Sequence, residues 1–137
     1  MDAEQLVEIE QIKQLKARYF RLMDQKRWGE FAELFSADCE QEWRASPEAA
    51  PQANRGRDAV VGFIRDSLEG IESTHHGHDP EISITGPATA TGVWALFDHC
   101  TRGGEVVFSG AGWYEDEYVK RDGSWRIHRT RLRARSF

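Results

Sequence analysis

The chain begins with apolar side chains that recur at three- and four-residue steps. These positions are Leu6, Ile9, Ile12, Leu15, Tyr19, Leu22 and Met23. A one-sided stripe of this kind is typical of a helix packed on a core, and it predicts a first helix that runs to about Asp24. At about 100° per residue, Asp24 falls on the border of the stripe and can face inward. Lys16 lies within the stripe, where we expect its ammonium group to reach the surface.

Two shorter helices, a strand and a loop are predicted between the first helix and Gly70. Apolar residues at helical spacing over 28–35 predict the second helix, and polar/apolar alternation over 38–43 predicts a strand. Residues 44–54 follow neither period and contain two prolines, so they form either a mobile lid or a solvated connection. Gly56-Arg57-Asp58 supplies an N-cap for the third helix, whose buried side comprises Val60, Val61, Phe63, Ile64 and Leu68.

After Gly70 the apolar pattern changes to alternation with period two. Four long segments rich in β-branched and aromatic residues are separated by glycine-containing turns: 74–84, 90–100, 106–120 and 124–133. This order predicts an α+β domain, with three N-terminal helices on one face of a strongly curved, mainly antiparallel sheet. A sheet bent and covered in this way encloses a conical cavity.

Composition narrows the range of partners. The chain of 137 residues fits one domain over 1–137. Its 23 acidic and 18 basic residues, with a formal charge of -5, argue against general attraction to nucleic acid or anionic membranes and favour a small molecule or a protein as partner. The N-terminus does not resemble a secretory signal, which predicts a cytoplasmic protein. Cys39 and Cys100 are expected to be free thiols, a single disulfide being the alternative.

Asp24 and the cluster Thr-His-His-Gly-His at 74–78 carry the candidate chemistry. An acid that orients an imidazole, and an imidazole that takes a proton, suffice for general acid/base chemistry without a metal or cofactor. Strand alternation separates His75 from His76 and His78, and we place His75 at the cavity. No third ligand accompanies the two same-face histidines at metal-site spacing, so no metal is expected. The alternative interpretation is an exposed acid and an exposed histidine.

Other candidates come from the strands. Asp98 and His99 take opposite faces, so one of the two should meet the cavity or core. Several of the aromatic residues would line a cavity suited to a flat or polycyclic ligand, and the candidate contacts are Trp94, Trp113 and Tyr114.

The last strand carries a cluster of arginines: Arg126, Arg129, Arg131, Arg133 and Arg135. The cluster would suit RNA or an acidic substrate, but ion pairing with Glu115, Asp116 and Glu117 is the simpler interpretation. Strict alternation puts Arg129 and Arg131 on the core side of the strand. Therefore either a bulge switches faces or two arginines enter the interior, where they would suit an anion or enol.

The order of elements and motifs resembles the SnoaL-like branch of the nuclear transport factor 2-like superfamily. The motifs are Tyr19-x4-Asp24, Gly56-Arg57-Asp58-Ala59, the 74–78 cluster and Asp122-Gly123-Ser124-Trp125-Arg126-Ile127, and they span nearly the whole chain. This family includes polyketide cyclases, scytalone dehydratase, bile-acid 7-alpha-dehydratase and a dehydrochlorinase of chlorinated cyclohexanes. The resemblance implies a cystatin-like α+β barrel and cofactor-independent chemistry by an Asp/His pair.

The resemblance also implies residue roles. By position, Asp24 and His75 are similar to the dyad, and Tyr19 stands where the dehydratases of the group place a tyrosine. Arg129 or Arg131 is similar to an arginine that some members point into the cavity. His99 lies near the offset of a second cavity histidine in the scytalone type.

The leading hypothesis is therefore a small cofactor-independent lyase or isomerase, of dehydratase or cyclase type, acting on a hydrophobic carbonyl compound. The superfamily also contains members without activity, so a non-catalytic ligand-binding domain and a dimerisation module are the alternatives. Under all three hypotheses we expect a homo-oligomer, a dimer or trimer, because a sheet covered on one face leaves the other face open.

Overall fold

Three helices precede the long strands, as the apolar periods predict. The computed structural model describes residues 1–44 and 46–136. The helices are α1 (Ala3–Asp24), α2 (Trp28–Ala32) and α3 (Arg57–Ser67). The strands are β1 (Phe35–Trp43), β2 (Gln52–Arg55), β3 (Glu72–Gly86), β4 (Thr89–Arg102), β5 (Glu105–Arg121) and β6 (Ser124–Ser136).

The strands form one mixed sheet in the order β2-β1-β6-β5-β4-β3. All neighbours are antiparallel except β1 and β6, which run parallel. The predicted α+β class is thereby confirmed. The sheet remains open, with β2 and β3 at its edges, so the expected barrel is not closed.

Two boundaries between residues 28 and 55 differ from the prediction. The second helix ends at Ala32 instead of residue 35, because the chain there already enters β1. The predicted loop over 44–54 contains most of β2, which pairs antiparallel with β1 from Glu40↔Arg55 to Trp43↔Gln52. Cross-strand pairing with β1 supplies the order that the local sequence lacks; residue 45 of this loop lies outside the described residues.

The first helix begins with a capping box. The Asp2 carboxylate accepts the Gln5 backbone N–H at 2.8 Å, while the Gln5 side chain accepts the Asp2 N–H at 3.2 Å. Such reciprocal bonds satisfy amides that the helix itself leaves unpaired. The buried face follows the predicted stripe from Ile12 onward, although Leu6 stays 55% exposed.

The helices cover one face of the sheet, and the core lies between them. A close contact holds α1 on β3, because the Phe20 ring packs directly over Gly77, where a Cβ atom would overlap it. The opposite face of the sheet, here called the outer face, carries ion pairs together with the exposed side chains Phe97 and Trp113. Self-association through this face stays a prediction.

Two sequence predictions concern the cysteines and membrane insertion. Cys39 and Cys100 are both buried and free, as expected. Among the helices of residues 1–44 and 46–136, none combines the length and apolarity needed to cross a membrane.

Candidate active site

Asp24 and His75 meet at the wall of a cavity between the helices and the sheet. The carboxylate Oδ1 of Asp24 lies 2.6 Å from Nδ1 of His75. The two side chains are 23% and 10% exposed, so water competes little for this contact. Because the Asp24 contact takes up Nδ1, it favours the tautomer in which that nitrogen carries the proton, and Nε2 remains available to a ligand.

Three donors hold the Asp24 carboxylate in the last turn of α1. Its Oδ1 also accepts the Ser73 hydroxyl at 2.9 Å, and its Oδ2 accepts the His75 backbone N–H at 2.9 Å. A carboxylate at this end of a helix meets the negative end of the helix dipole, which disfavours it by about 0.3 to 1 kcal/mol. Bonds from β3 offset that penalty, and they fix the carboxylate relative to the histidine.

The cavity lies between α1, α3 and the inner face of the sheet, with a volume of about 90 Å³. Its polar lining includes Tyr19, His75, Asp98 and Tyr114, and its apolar lining comprises Met23, Trp43, Phe63, Ile64, Leu68 and Leu132. Pockets for drug-sized ligands are commonly about 300 to 1,000 Å³. The cavity therefore fits a small substrate better than the polycyclic one that the aromatic content suggested.

Tyr19 and Tyr114 line the same cavity from α1 and β5. Burial raises the pKa of both phenols, because the phenolate would lose its hydration. The nearby carboxylates Asp98 and Asp116 raise the pKa of Tyr19 further. Both hydroxyls are therefore protonated near neutral pH, which suits a hydrogen-bond donor to a developing negative oxygen.

Asp98 is a further cavity residue, 4% exposed, directly opposite His75 in the β3–β4 ladder. Its Oδ1 is buried and has no hydrogen-bond partner within the described residues. Burial raises the pKa of Asp98 to about 6, while His75 lowers it. Sequence reasoning left open whether Asp98 or His99 meets the cavity, because strand alternation shows only that the two residues take opposite faces.

A buried ion pair lies behind the two tyrosines. Lys16 Nζ is 2.8 Å from Oδ2 of Asp116, and both side chains are 0% exposed. The ammonium also lies 4.1 Å and 3.9 Å from the ring centres of Tyr19 and Tyr114. Lys16 therefore does not reach the surface, which corrects the sequence prediction. Two features of the sequence could have indicated this burial. Lys16 lies within the apolar stripe of α1, and Asp116 occupies an inward-facing position on a strand.

Asp116 connects the pair to a polar chain in the core. Its Oδ2 accepts the Tyr118 hydroxyl at 2.8 Å, and the Trp94 indole donates to the same hydroxyl oxygen at 3.0 Å. Trp94 is thus buried in the core and does not line the cavity, contrary to its candidate role as a ligand contact. Among the three aromatic candidates, Tyr114 is the one found in the cavity lining.

The arginine candidates lie on the outer face of the sheet. The β5–β6 register shifts between the pairs Glu117↔Arg129 and Tyr118↔Ile127, so one extra residue of β6 switches the face of everything that follows. Arg129 pairs with Glu40 and Glu117, and Arg131 approaches Glu115 at 3.9 Å. The bulge alternative was therefore correct, and neither arginine enters the cavity.

His99 and Trp113 also lie on the outer face, away from the cavity. Both follow from alternation, because their neighbours Asp98 and Tyr114 face inward. Trp113 is 44% exposed. These positions correct the candidate roles of both residues. The remaining histidine prediction agrees with the structure, because His75 faces inward while His76 and His78 are exposed.

Within residues 1–44 and 46–136, no group of three or more His, Cys, Asp or Glu side chains is arranged to hold a metal ion.

The chain is similar to a known domain family and to several solved structures. The profile of the SnoaL-like domain matches residues 4–131. A candidate scytalone dehydratase from Novosphingobium aromaticivorans is 26% identical, with a TM-score of 0.82 over 98% of this chain and 88% of that one. Rv3472 from Mycobacterium tuberculosis, of unknown function, is 27% identical, with a TM-score of 0.82 over 96% of this chain and 73% of that one.

A more distant neighbour shares the fold. The hexachlorocyclohexane dehydrochlorinase LinA-type3 from Novosphingobium barchaimii is 17% identical, with a TM-score of 0.81 over 100% of this chain and 92% of that one. At this level of identity the likeness concerns the fold alone.

Proposed function

The chain belongs to the SnoaL-like domain family, and we propose that it is a small cofactor-independent lyase or isomerase of dehydratase type. The observation that supports this most strongly is the Asp24–His75 contact of 2.6 Å at the wall of a cavity. A paired imidazole with a free second nitrogen is the equipment that proton abstraction requires. The substrate class is a small hydrophobic carbonyl compound, in keeping with the apolar lining and the cavity volume.

His75 acts as the general base in this proposal. Its Nε2 takes a proton from a carbon next to the substrate carbonyl, and Asp24 stabilises the imidazolium that forms. Asp24 does not transfer a proton in this role, because it only accepts the hydrogen bond from Nδ1–H of His75. Three hydrogen bonds to Asp24 hold the pair in place before substrate arrives, which lowers the reorganisation needed during the reaction.

Tyr19 serves as the donor to the oxygen that gains negative charge. It lies on α1, five residues before Asp24, and lines the same cavity as His75. Its raised pKa keeps the hydroxyl protonated, so it stabilises an enolate by hydrogen bonding rather than by transferring its proton. A substrate larger than one ring would have to displace the tilted ring pair Trp43 and Phe63, whose ring centres are 5.7 Å apart.

Deuterium exchange tests the base. Small cyclic ketones and hydroxy-ketones would be incubated in deuterated water with wild type, His75→Ala and Asp24→Asn. We expect labelling at the carbon next to the carbonyl with the wild type, and a loss of about 10²- to 10⁴-fold in both variants. His76→Ala is the matched control, because it removes a histidine from the adjacent position on the opposite face.

Two outcomes would count against an enzyme. Equal labelling by wild type and His75→Ala would show that the histidine does not act as the base. Saturable ligand binding by the wild type without any labelling would favour a passive binding domain of the same fold.

A further inference from the structure

Asp98 and Asp116 are the two buried acids among the described residues, and they differ in their partners. Asp116 is paired with Lys16 and accepts the Tyr118 hydroxyl, so its role in the core is accounted for. Asp98 is equally buried, but no hydrogen bond or ion pair to its carboxyl is found among the described residues, whereas Asp116 leaves only its Oδ1 without a partner. An unsatisfied buried carboxyl destabilises the fold, and a buried titratable group that lines a cleft is a candidate functional group. The cavity that Asp98 lines is the only space adjacent to it that we identify in the described part of the chain.

The position of Asp98 relative to His75 suggests what it acts on. The two are directly opposite in the β3–β4 ladder, with both side chains on the inner face. Side chains at such positions start about 4.5 to 5.5 Å apart at their Cβ atoms. A small substrate in the cavity can therefore contact an imidazole and a carboxyl at the same time, through neighbouring carbon atoms.

Resting on the proposed function, we infer that Asp98 is the general acid that protonates a hydroxyl leaving group, so that the substrates are β-hydroxy carbonyl compounds rather than halides. Hydroxide is a poor leaving group and needs a proton as it departs. Chloride leaves as a stable anion, and an acid beside it would contribute nothing. A carboxyl opposite the base thus matches loss of water.

The proposed step balances without a further reactant. His75 Nε2 takes the proton on the carbon next to the carbonyl, the electrons of that C–H bond form the double bond, and the bond from the β-carbon to oxygen breaks. The Asp98 carboxyl gives its proton to the departing oxygen, which leaves as water. The imidazolium of His75 and the carboxylate of Asp98 then exchange one proton, directly or through solvent, and both groups are restored.

The surroundings of Asp98 favour the protonated acid that this step requires. Burial and, to a smaller extent, Asp24 on α1 raise its pKa, while His75, Lys16 and His76 lower it, and the net result is a pKa of about 6. The phenols of Tyr19 and Tyr114, which also line this cavity, stay neutral. Loss of water should therefore slow as the pH rises through about 6, because the carboxyl then loses the proton it must donate.

Two substrates that differ only in the leaving group test the inference. Cyclohexanones with either a hydroxyl or a chloro group on the β-carbon both need the base, but only the first needs an acid. With Asp98→Asn we expect loss of water to fall by about 10²- to 10³-fold, while release of chloride and deuterium exchange change only a few-fold. The decline above about pH 6 should occur with the hydroxyl substrate alone.

The controls separate the acid from the fold and from the base. His99→Asn changes the adjacent residue on the outer face and should leave both reactions unchanged. Equal loss of both reactions in Asp98→Asn, or unchanged loss of water, would overturn the role of Asp98 while leaving the base intact. Wild-type protein that exchanges no deuterium would overturn the proposed function itself, and the inference with it.

Discussion

The two faces of the sheet carry the same kinds of charged residue in very different settings. On the outer face, Arg129 and Arg133 of β6 pair with Glu117 and Glu115 of β5, and these side chains are 38% to 45% exposed. On the inner face, Asp116 of the same strand β5 is 0% exposed, paired with Lys16 of α1. Alternate residues of one strand therefore experience water on one side and the core on the other.

The difference shows at which positions a charged side chain affects the stability of the protein. An exposed pair is well hydrated with or without its partner, so it contributes about 0 to 1 kcal/mol. A buried charge has lost its hydration, so removing its partner leaves a large penalty. For this reason the few charges on the inner face are the informative ones. They either complete the core, as Lys16 and Asp116 do, or line the cavity, as Asp98 does.

Breaking the buried pair should give the largest effect on stability. Lys16→Met leaves Asp116 buried without its cation, and we expect the free energy of unfolding to fall by about 3 to 5 kcal/mol in urea titrations. The double variant Lys16→Met/Asp116→Asn should recover most of that loss, because it removes both charges and keeps an acceptor for the Tyr118 hydroxyl. A single variant as stable as the wild type would contradict the comparison.

The variant Asp98→Asn tests the comparison through the pH dependence of stability. The folded carboxyl, with its pKa raised to about 6, keeps a proton that the unfolded chain has lost above about pH 4. Because the folded state binds more protons in this window, the stability of the wild type falls as pH rises through it. The stability of Asp98→Asn relative to wild type should therefore increase by about 2 to 3 kcal/mol between about pH 4 and pH 8.

Thermal unfolding at several pH values measures this difference. A constant difference across the range would mean that Asp98 is hydrated in the folded state. The cavity would then be wetter than the described geometry indicates.

Gly77→Ala tests the contact that brings α1 to the inner face. The added Cβ would overlap the Phe20 ring, so the helix must shift, and overpacking of this kind costs about 1 to 3 kcal/mol. Since Asp24 lies on the same helix, deuterium exchange should fall as well. Gly29→Ala is the control, because a Cβ there meets nothing within 4 Å and alanine favours a helix. An unchanged melting temperature for Gly77→Ala would show that the helix is not held there.

Arg129→Gln should give the smallest effect. It removes an outer-face cation whose side chain is 39% exposed and whose distances to Glu40 and Glu117 are 3.7 and 3.5 Å. We expect a change of at most about 1 kcal/mol in unfolding free energy, and none in deuterium exchange. Loss of activity in this variant would mean that the outer face takes part in the reaction, for example across an oligomer interface.

Local pattern was sufficient for most of the fold. The stripe from Ile12 to Met23 predicts α1 because helical period and burial coincide, and alternation predicts the long strands for the same reason. Alternation put His75 and His76 on opposite faces, but it did not by itself show which of the two is inward. The short strand β2 was missed, because residues 44–54 have no pattern of their own and depend on pairing with β1.

Side chains were assigned to the wrong face of the sheet where one extra residue shifts the pairing register of a strand. Counting alternate residues from Trp125 puts Arg129 on the core side, and the bulge in β6 reverses that result. No feature of the arginine-rich sequence marks the bulge, so the bulge and buried-arginine alternatives were equally compatible with it. Lys16 was misplaced for another reason, because its buried partner lies one hundred residues away on β5.

The amino-acid sequence by itself determined which segments are the helices and the long strands and that neighbouring strand residues alternate between faces, because these depend on periodicity within a short window. Only the tertiary structure decided that Asp24 lies 2.6 Å from His75, that Asp98 faces the same cavity with no partner for its Oδ1 among the described residues, and that Lys16 forms an ion pair with Asp116. Those facts depend on the register between strands and on the approach of α1 to β3, which no single segment encodes.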